Sequence, residues 1–97
     1  MTESEVLDAI KSGESDALDI LREAMPDAEK RWKRLCKSIV AFRKDVQQHF
    51  PDAEYYTASG GFHLLLGSSH SASGAGQQCL VALSGEEFGV SISDGDF

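Results

Sequence analysis

The sequence predicts an α+β fold: N-terminal helices, one long amphipathic helix, and a four-stranded antiparallel β-meander on which that helix packs as a two-layer sandwich. Two observations predict it. Apolar residues recur with a helical period up to Phe50, and beyond Pro51 the period changes to 2. Closely spaced turn signals then divide the second half into short runs that can pair with their neighbours. The 97 residues are expected to form a single domain, 1–97, with short helical segments in 1–25, the long helix in 26–50 and the sheet in 53–93.

Thr2-Glu3-Ser4-Glu5 reads as a capping box, with Thr2 as N-cap and Glu5 reaching back. Val6, Leu7 and Ile10 supply a short apolar stripe, and Gly13 ends it. Ser15 is the candidate N-cap of a second segment carrying Leu18, Ile20, Leu21 and Met25. Pro26 then either opens a new helix in its first turn or kinks a continuous one. Asp27 and Glu29 suit a helix N-terminus, where the macrodipole favours anions.

The helix over about 27–49 is the strongest expectation. Trp32, Leu35, Cys36, Ile39, Phe42, Val46 and Phe50 fall within a sector of about 120°, with Lys30, Lys33, Arg34, Lys37 and Lys44 opposite. Arg43 falls amid the apolar sector. It can snorkel from the margin, pair with a carboxylate, or mark a partner surface. Pro51 stops the helix.

The first strand is expected over 54–59. Gly60-Gly61 forms a hairpin turn, because both positions tolerate positive φ. In the second strand Phe62, Leu64 and Leu66 alternate with His63 and Leu65, which places His63 on the face away from Phe62 and Leu64. Nine of the twelve residues in 67–78 are Gly, Ser or Ala, which predicts a flexible loop. A third strand over 79–84, apolar on both faces, is expected to be central. A turn at 84–87 leads to a fourth strand carrying Phe88, Val90 and Ile92, before an acidic tail at 94–97. The expected core is Trp32, Leu35, Ile39, Phe42, Val46, Phe62, Leu64, Leu66, Leu80, Val90 and Ile92.

Composition excludes several function classes. The chain has a net charge of −7, which argues against a general nucleic-acid coat protein. The charge is segregated. Residues 1–29 hold nine acids and two bases, residues 30–50 hold seven bases and one acid, and residues 51–97 hold six acids and no Lys or Arg. Any phosphate contact would have to come from the one basic helix. The longest apolar run, 79–83, is far too short to cross a bilayer, and no charged-then-apolar segment opens the chain. The expectation is an acidic cytoplasmic protein without a membrane segment. So short a chain leaves little volume for a deep pocket.

No specific catalytic motif is present. Gly67-Ser68-Ser69-His70-Ser71 approaches a nucleophile elbow but lacks its closing Gly. Cys36 and Cys79 stand outside any C-x-x-C or zinc-ligand spacing and read as reduced, buried small hydrophobes. His49, His63 and His70 share no ligand spacing, and an imidazolium at His49 would complement a helix C-terminus. Asp94-Gly95-Asp96 is too short for a calcium loop. No catalytic residue, cofactor or metal is therefore expected.

The cationic face of Lys30, Lys33, Arg34, Lys37 and Lys44 admits three readings: a solvated surface, a docking surface for an acidic protein, or a nucleic-acid contact. No aromatic residue is interleaved with these cations, so the face offers no stacking platform for single strands. The reading that follows is a non-enzymatic interaction module with an unidentified protein partner. The outward sheet face bearing Tyr56, His63 and Leu65, or a sheet edge, suggests a homodimer. Alternatives are a nucleic-acid-binding regulator using helix 30–44, and a small hydrolase using His63 or His70 with a Ser or Cys36.

The stretch His49-Phe50-Pro51-Asp52-Ala53-Glu54-Tyr55-Tyr56, then Ala58-Ser59-Gly60-Gly61-Phe62-His63-Leu64-Leu65-Leu66-Gly67 with Ser69-His70, resembles a group of small bacterial proteins linked to prophages and other mobile elements. The resemblance implies an accessory, non-enzymatic protein. It implies no activity, cofactor or catalytic residue.

Overall fold

The computed structural model describes residues 1–58 and 60–93. It is an α+β chain in which helices α1 (Glu3–Lys11), α2 (Ala17–Ala24) and α3 (Ala28–Gln47) precede strands β1 (Glu54–Ala58), β2 (Gly61–Leu65) and β3 (Val81–Ser84). The strands form one antiparallel sheet in the order β1-β2-β3. The chain divides into two compact units, Met1–Ile39 and Val40–Phe97.

In the first unit both short helices open with reciprocal capping boxes. Thr2 and Glu5 form one, and Asp16 and Asp19 form the other. The cap of α2 is therefore Asp16 and not Ser15. The box needs a side-chain acceptor three residues on, which Asp16 finds in Asp19 and Ser15 would not find in Leu18. Pro26 separates α2 from α3. The residue before a proline is driven out of the α region, and Met25 accordingly has φ −138° and ψ 88°.

None of the side chains of α1, α2 and α3 is buried, which corrects most of the expected core. Trp32 is 66% exposed and Leu35 52%, and Ile39, Phe42 and Val90 are exposed as well. Val46, Phe62, Leu66, Leu80 and Ile92 are half-buried. Helical periodicity identifies which side of α3 is apolar. It carries no information about whether the same chain covers that side.

The second unit holds the buried side chains among the described residues: Ala53, Leu64 and Leu65. β2 is the central strand, paired with β1 along one edge and β3 along the other, and Leu64 and Leu65 point to its opposite faces. The expectation that the third strand is central is overturned. β3 is an edge, and Val81 and Leu83 on it are exposed. It also starts later than expected, because Gln78–Leu80 winds into a 3-10 turn, which leaves Cys79 exposed and not buried.

Ala58 pairs with Gly61, so Gly61 belongs to β2, and Gly60 alone of the pair has positive φ, +78°. The expected strand end at Ser59 and the acidic tail at 94–97 lie outside the described residues.

A fourth strand is not formed among the described residues. Glu86–Phe88 is a 3-10 turn closed by Gly89 at φ 79°, a left-handed conformation that takes the chain out of the β region. The alternation of Phe88, Val90 and Ile92 therefore has no flat strand to act on, and Phe88 projects into solvent. The segment is instead held by single bonds: the Val90 amide donates to the Gly85 carbonyl and the Ile92 amide to that of Gly60.

Candidate functional site

The five cations singled out by the sequence all lie on α3, and all are exposed. A helix of 3.6 residues per turn brings Lys30, Lys33, Arg34, Lys37 and Lys44 to one side. None of them makes an ion pair among the described residues. The ion pair that is formed joins Arg22 to Glu29, both well exposed. The hydrogen bond and charge of Arg22 hold the Glu29 carboxyl below its usual range, and Glu29 in turn raises Arg22.

The opposite side of α3 takes part in an apolar groove. Leu21 and Met25 from the end of α2 face Ala28, Trp32 and Leu35 of α3, with Arg31 at the rim. The groove encloses about 500 Å³. Of these residues the sequence places Trp32 and Leu35 in the expected core, and Leu21 and Met25 only on a helical stripe.

Arg43 is half-buried, and its Nε is buried without a hydrogen-bond partner among the described residues. Its charge acts on Tyr55. Burial pushes the Tyr55 phenol above its ordinary range, and Arg43 pulls it back down. Tyr55 also stacks on Phe62, with ring centroids 5.1 Å apart.

The second unit contains a cleft on the other sheet face. Register explains its floor. Tyr56 pairs with His63, and Ala58 lies two residues along β1 from Tyr56, so the side chains of Tyr56, Ala58 and His63 share the face that Tyr55 and Leu64 do not. With Leu65 and Val81 these residues floor a cleft of about 440 Å³, walled by Ser69, His70, Gly76, Gln77, Gln78 and Glu86. The 67–78 wall is tied down by its own bonds. The Ser69 amide donates to Glu54 Oε1 at 3.1 Å, Gln77 Nε2 donates to the Ser68 carbonyl at 2.7 Å, and His70 bridges Gly76.

His63 and His70 thus come to one cleft, each beside a hydroxyl. His63 Nδ1 and Ser84 Oγ share a hydrogen bond of 2.8 Å, and Ser69 Oγ and His70 Nδ1 one of 3.0 Å. Tyr56 meets the His70 ring edge-on at 6.3 Å. No third group is hydrogen-bonded to either imidazole among the described residues, whereas an activated nucleophile needs an oriented base. Cys36 belongs to the first unit and the histidines to the second. Among the described residues no three His, Cys, Asp or Glu side chains gather as a metal site. No helix there is long and apolar enough to cross a membrane.

Glu86, Gln77 and Gln78 are cleft residues that sequence analysis missed. Their place depends on where the two 3-10 turns fall, and alternation does not report that. No protein-family model, curated protein or solved structure matches the chain.

Proposed function

We propose that the chain is a non-enzymatic protein-interaction module that docks an acidic protein surface through Lys30, Lys33, Arg34, Lys37 and Lys44. The carrying observation is that these five cations share one exposed side of α3 and have no ion-pair partner among the described residues. Isolated surface charges add little to stability. Gathered on one face, they speed encounter with an oppositely charged partner and align it. The resemblance carried by 49–70 supports an accessory role in a bacterium or a mobile element, working in the cytoplasm.

The test is affinity capture from host lysate with the wild type beside a Lys33→Glu, Lys37→Glu variant. The expected result is a partner captured by the wild type, lost by the variant, insensitive to nuclease and weakened by salt within the Debye regime. A variant that retains every partner reduces the face to a solvated surface. A lost partner that is nuclease-sensitive assigns the face to nucleic acid instead.

A further inference from the structure

We infer that the apolar groove of α2 and α3 is covered by the same groove of a second copy of this chain, giving a homodimer joined helix against helix. The inference concerns the side of α3 opposite the cations and does not depend on them.

Three observations carry it. The first is spacing. Ala28, Trp32, Leu35 and Ile39 follow one another at intervals of four, three and four residues, and Leu18, Leu21 and Met25 at three and four. That alternation is the seam of helices that pack knobs-into-holes on other helices. The occupant that fits such a seam is a helix bearing another one, and a second copy presents two.

The second is area. Leu21, Met25, Trp32 and Leu35 of the groove, and Ile39 beyond it on the same side of α3, are between 36% and 66% exposed. At ~150–250 Å² for a large side chain, they leave on the order of 500 Å² of apolar surface. A stable interface takes about 800 Å² per partner, of which about 65% is apolar in homodimers. The groove together with Ile39 therefore supplies the apolar share of one interface. It also sits at the upper end of the ~300–600 Å² found for the largest patch on a typical monomer.

The third is the lack of a core. Met1–Ile39 is a compact unit of helices without one buried side chain. Short helices draw most of their stability from packing an amphipathic face. No metal cluster is found among the described residues, and both cysteines are free. A cover required by every molecule must be available in equal number, as a second copy always is. The contact would be isologous, so each copy buries the same residues.

Trp32 is the one tryptophan, so intrinsic fluorescence reports the groove directly. The experiment is sedimentation equilibrium of the purified full chain over a broad concentration range, with Trp32 emission and acrylamide quenching measured on the same samples. The expected result is a species of twice the 10.5 kDa chain mass with shielded Trp32. On dilution, the fall in mass and the red shift of Trp32 should share one midpoint. Leu35→Glu is expected to weaken association by roughly thirtyfold or more, as a charge at a hot spot does, while Lys33→Glu on the opposite side leaves it unchanged.

A monomer at all concentrations overturns the inference. So does a dimer with freely quenched Trp32, or a Leu35→Glu variant that still pairs. Should Leu35→Glu fail to fold, the coincidence of the two wild-type dilution curves decides. A monomer with freely quenched Trp32 leaves the basic-face reading intact, since that reading stands or falls on Lys33 and Lys37.

Discussion

His63 Nδ1 lies 2.8 Å from Ser84 Oγ, and the two residues are direct register partners on β2 and β3. The bond is therefore a cross-strand pair, placed by the sheet itself. It ties the edge strand to the centre just ahead of the 3-10 turn that carries Glu86. Ser84→Ala removes one hydrogen bond of this type and is expected to cost about 1 kcal/mol, within the usual range for such bonds. Chemical denaturation measures it. The same variant and the wild type should both show only buffer-level hydrolysis of a chromogenic ester. A Ser84-dependent rate would reassign the pair to nucleophilic catalysis.

Leu65 is 2% exposed, and Leu64 and Ala53 are the other buried apolar residues described. So small a core has little capacity to close over a cavity. Leu65→Ala is expected to destabilise the sheet unit by about 2–5 kcal/mol, the span for buried Leu truncations. Leu83→Ala on the exposed edge should change stability far less. Urea midpoints of the two variants test the contrast.

The helices and the hairpin were legible because their signals are local. Thr2 with Glu5, and Pro26, set helix limits through their own side chains, whereas α3 ends at Gln47, ahead of Pro51. Alternation around His63 put that residue on the correct face. What sequence could not supply was long-range. The stripe from Trp32 to Val46 states which side is apolar, and nothing in it states what covers that side. Gly89 in the left-handed region ended an apparent fourth strand, and a glycine between Phe88 and Val90 reads equally well as a strand residue. The cleft was illegible for the same reason. Glu86 and Gln77 reach it through turns whose position follows from the pairing of β2 with β3.

Two glycines beside the cleft differ in what an added methyl would meet. At Gly61 the nearest atoms would be His63 Nε2 at 2.5 Å and Glu86 Oε1 at 2.7 Å, both far ends of side chains that can swing away. At Gly85 they would be Val90 Cβ at 2.9 Å and Cγ1 at 3.3 Å, with the Phe62 carbonyl at 3.4 Å. These are stiff atoms in a β-branched residue and a backbone. Gly85→Ala is therefore expected to cost about 1–3 kcal/mol through overpacking, seen as a clearly lower melting temperature. Gly61→Ala should be better tolerated, and it should displace the His63 ring, shifting the His63 imidazole resonances in an NMR spectrum.

Tyr55 gives the sheet unit a dependence on alkaline pH whose sign follows from its surroundings. Burial disfavours the phenolate, so the folded chain holds the proton more tightly than the unfolded chain does. The folded state then binds more protons between the two titrations, and stability must fall as pH rises through that window. The contribution is fully present below the ordinary phenol value of about 10 and is lost above it. Arg43 opposes the effect, because its positive charge favours the phenolate. Absorbance titration at the phenolate band should show Tyr55 ionising later in the folded protein than in urea. Arg43→Gln should move that folded-state titration further up, since the positive charge is lost while burial and the hydrogen bond with the Arg43 backbone remain. The stability difference between wild type and Tyr55→Phe should narrow as pH is raised beyond the unfolded value. A Tyr55 titration that coincides in folded and unfolded protein would remove burial as the governing cause.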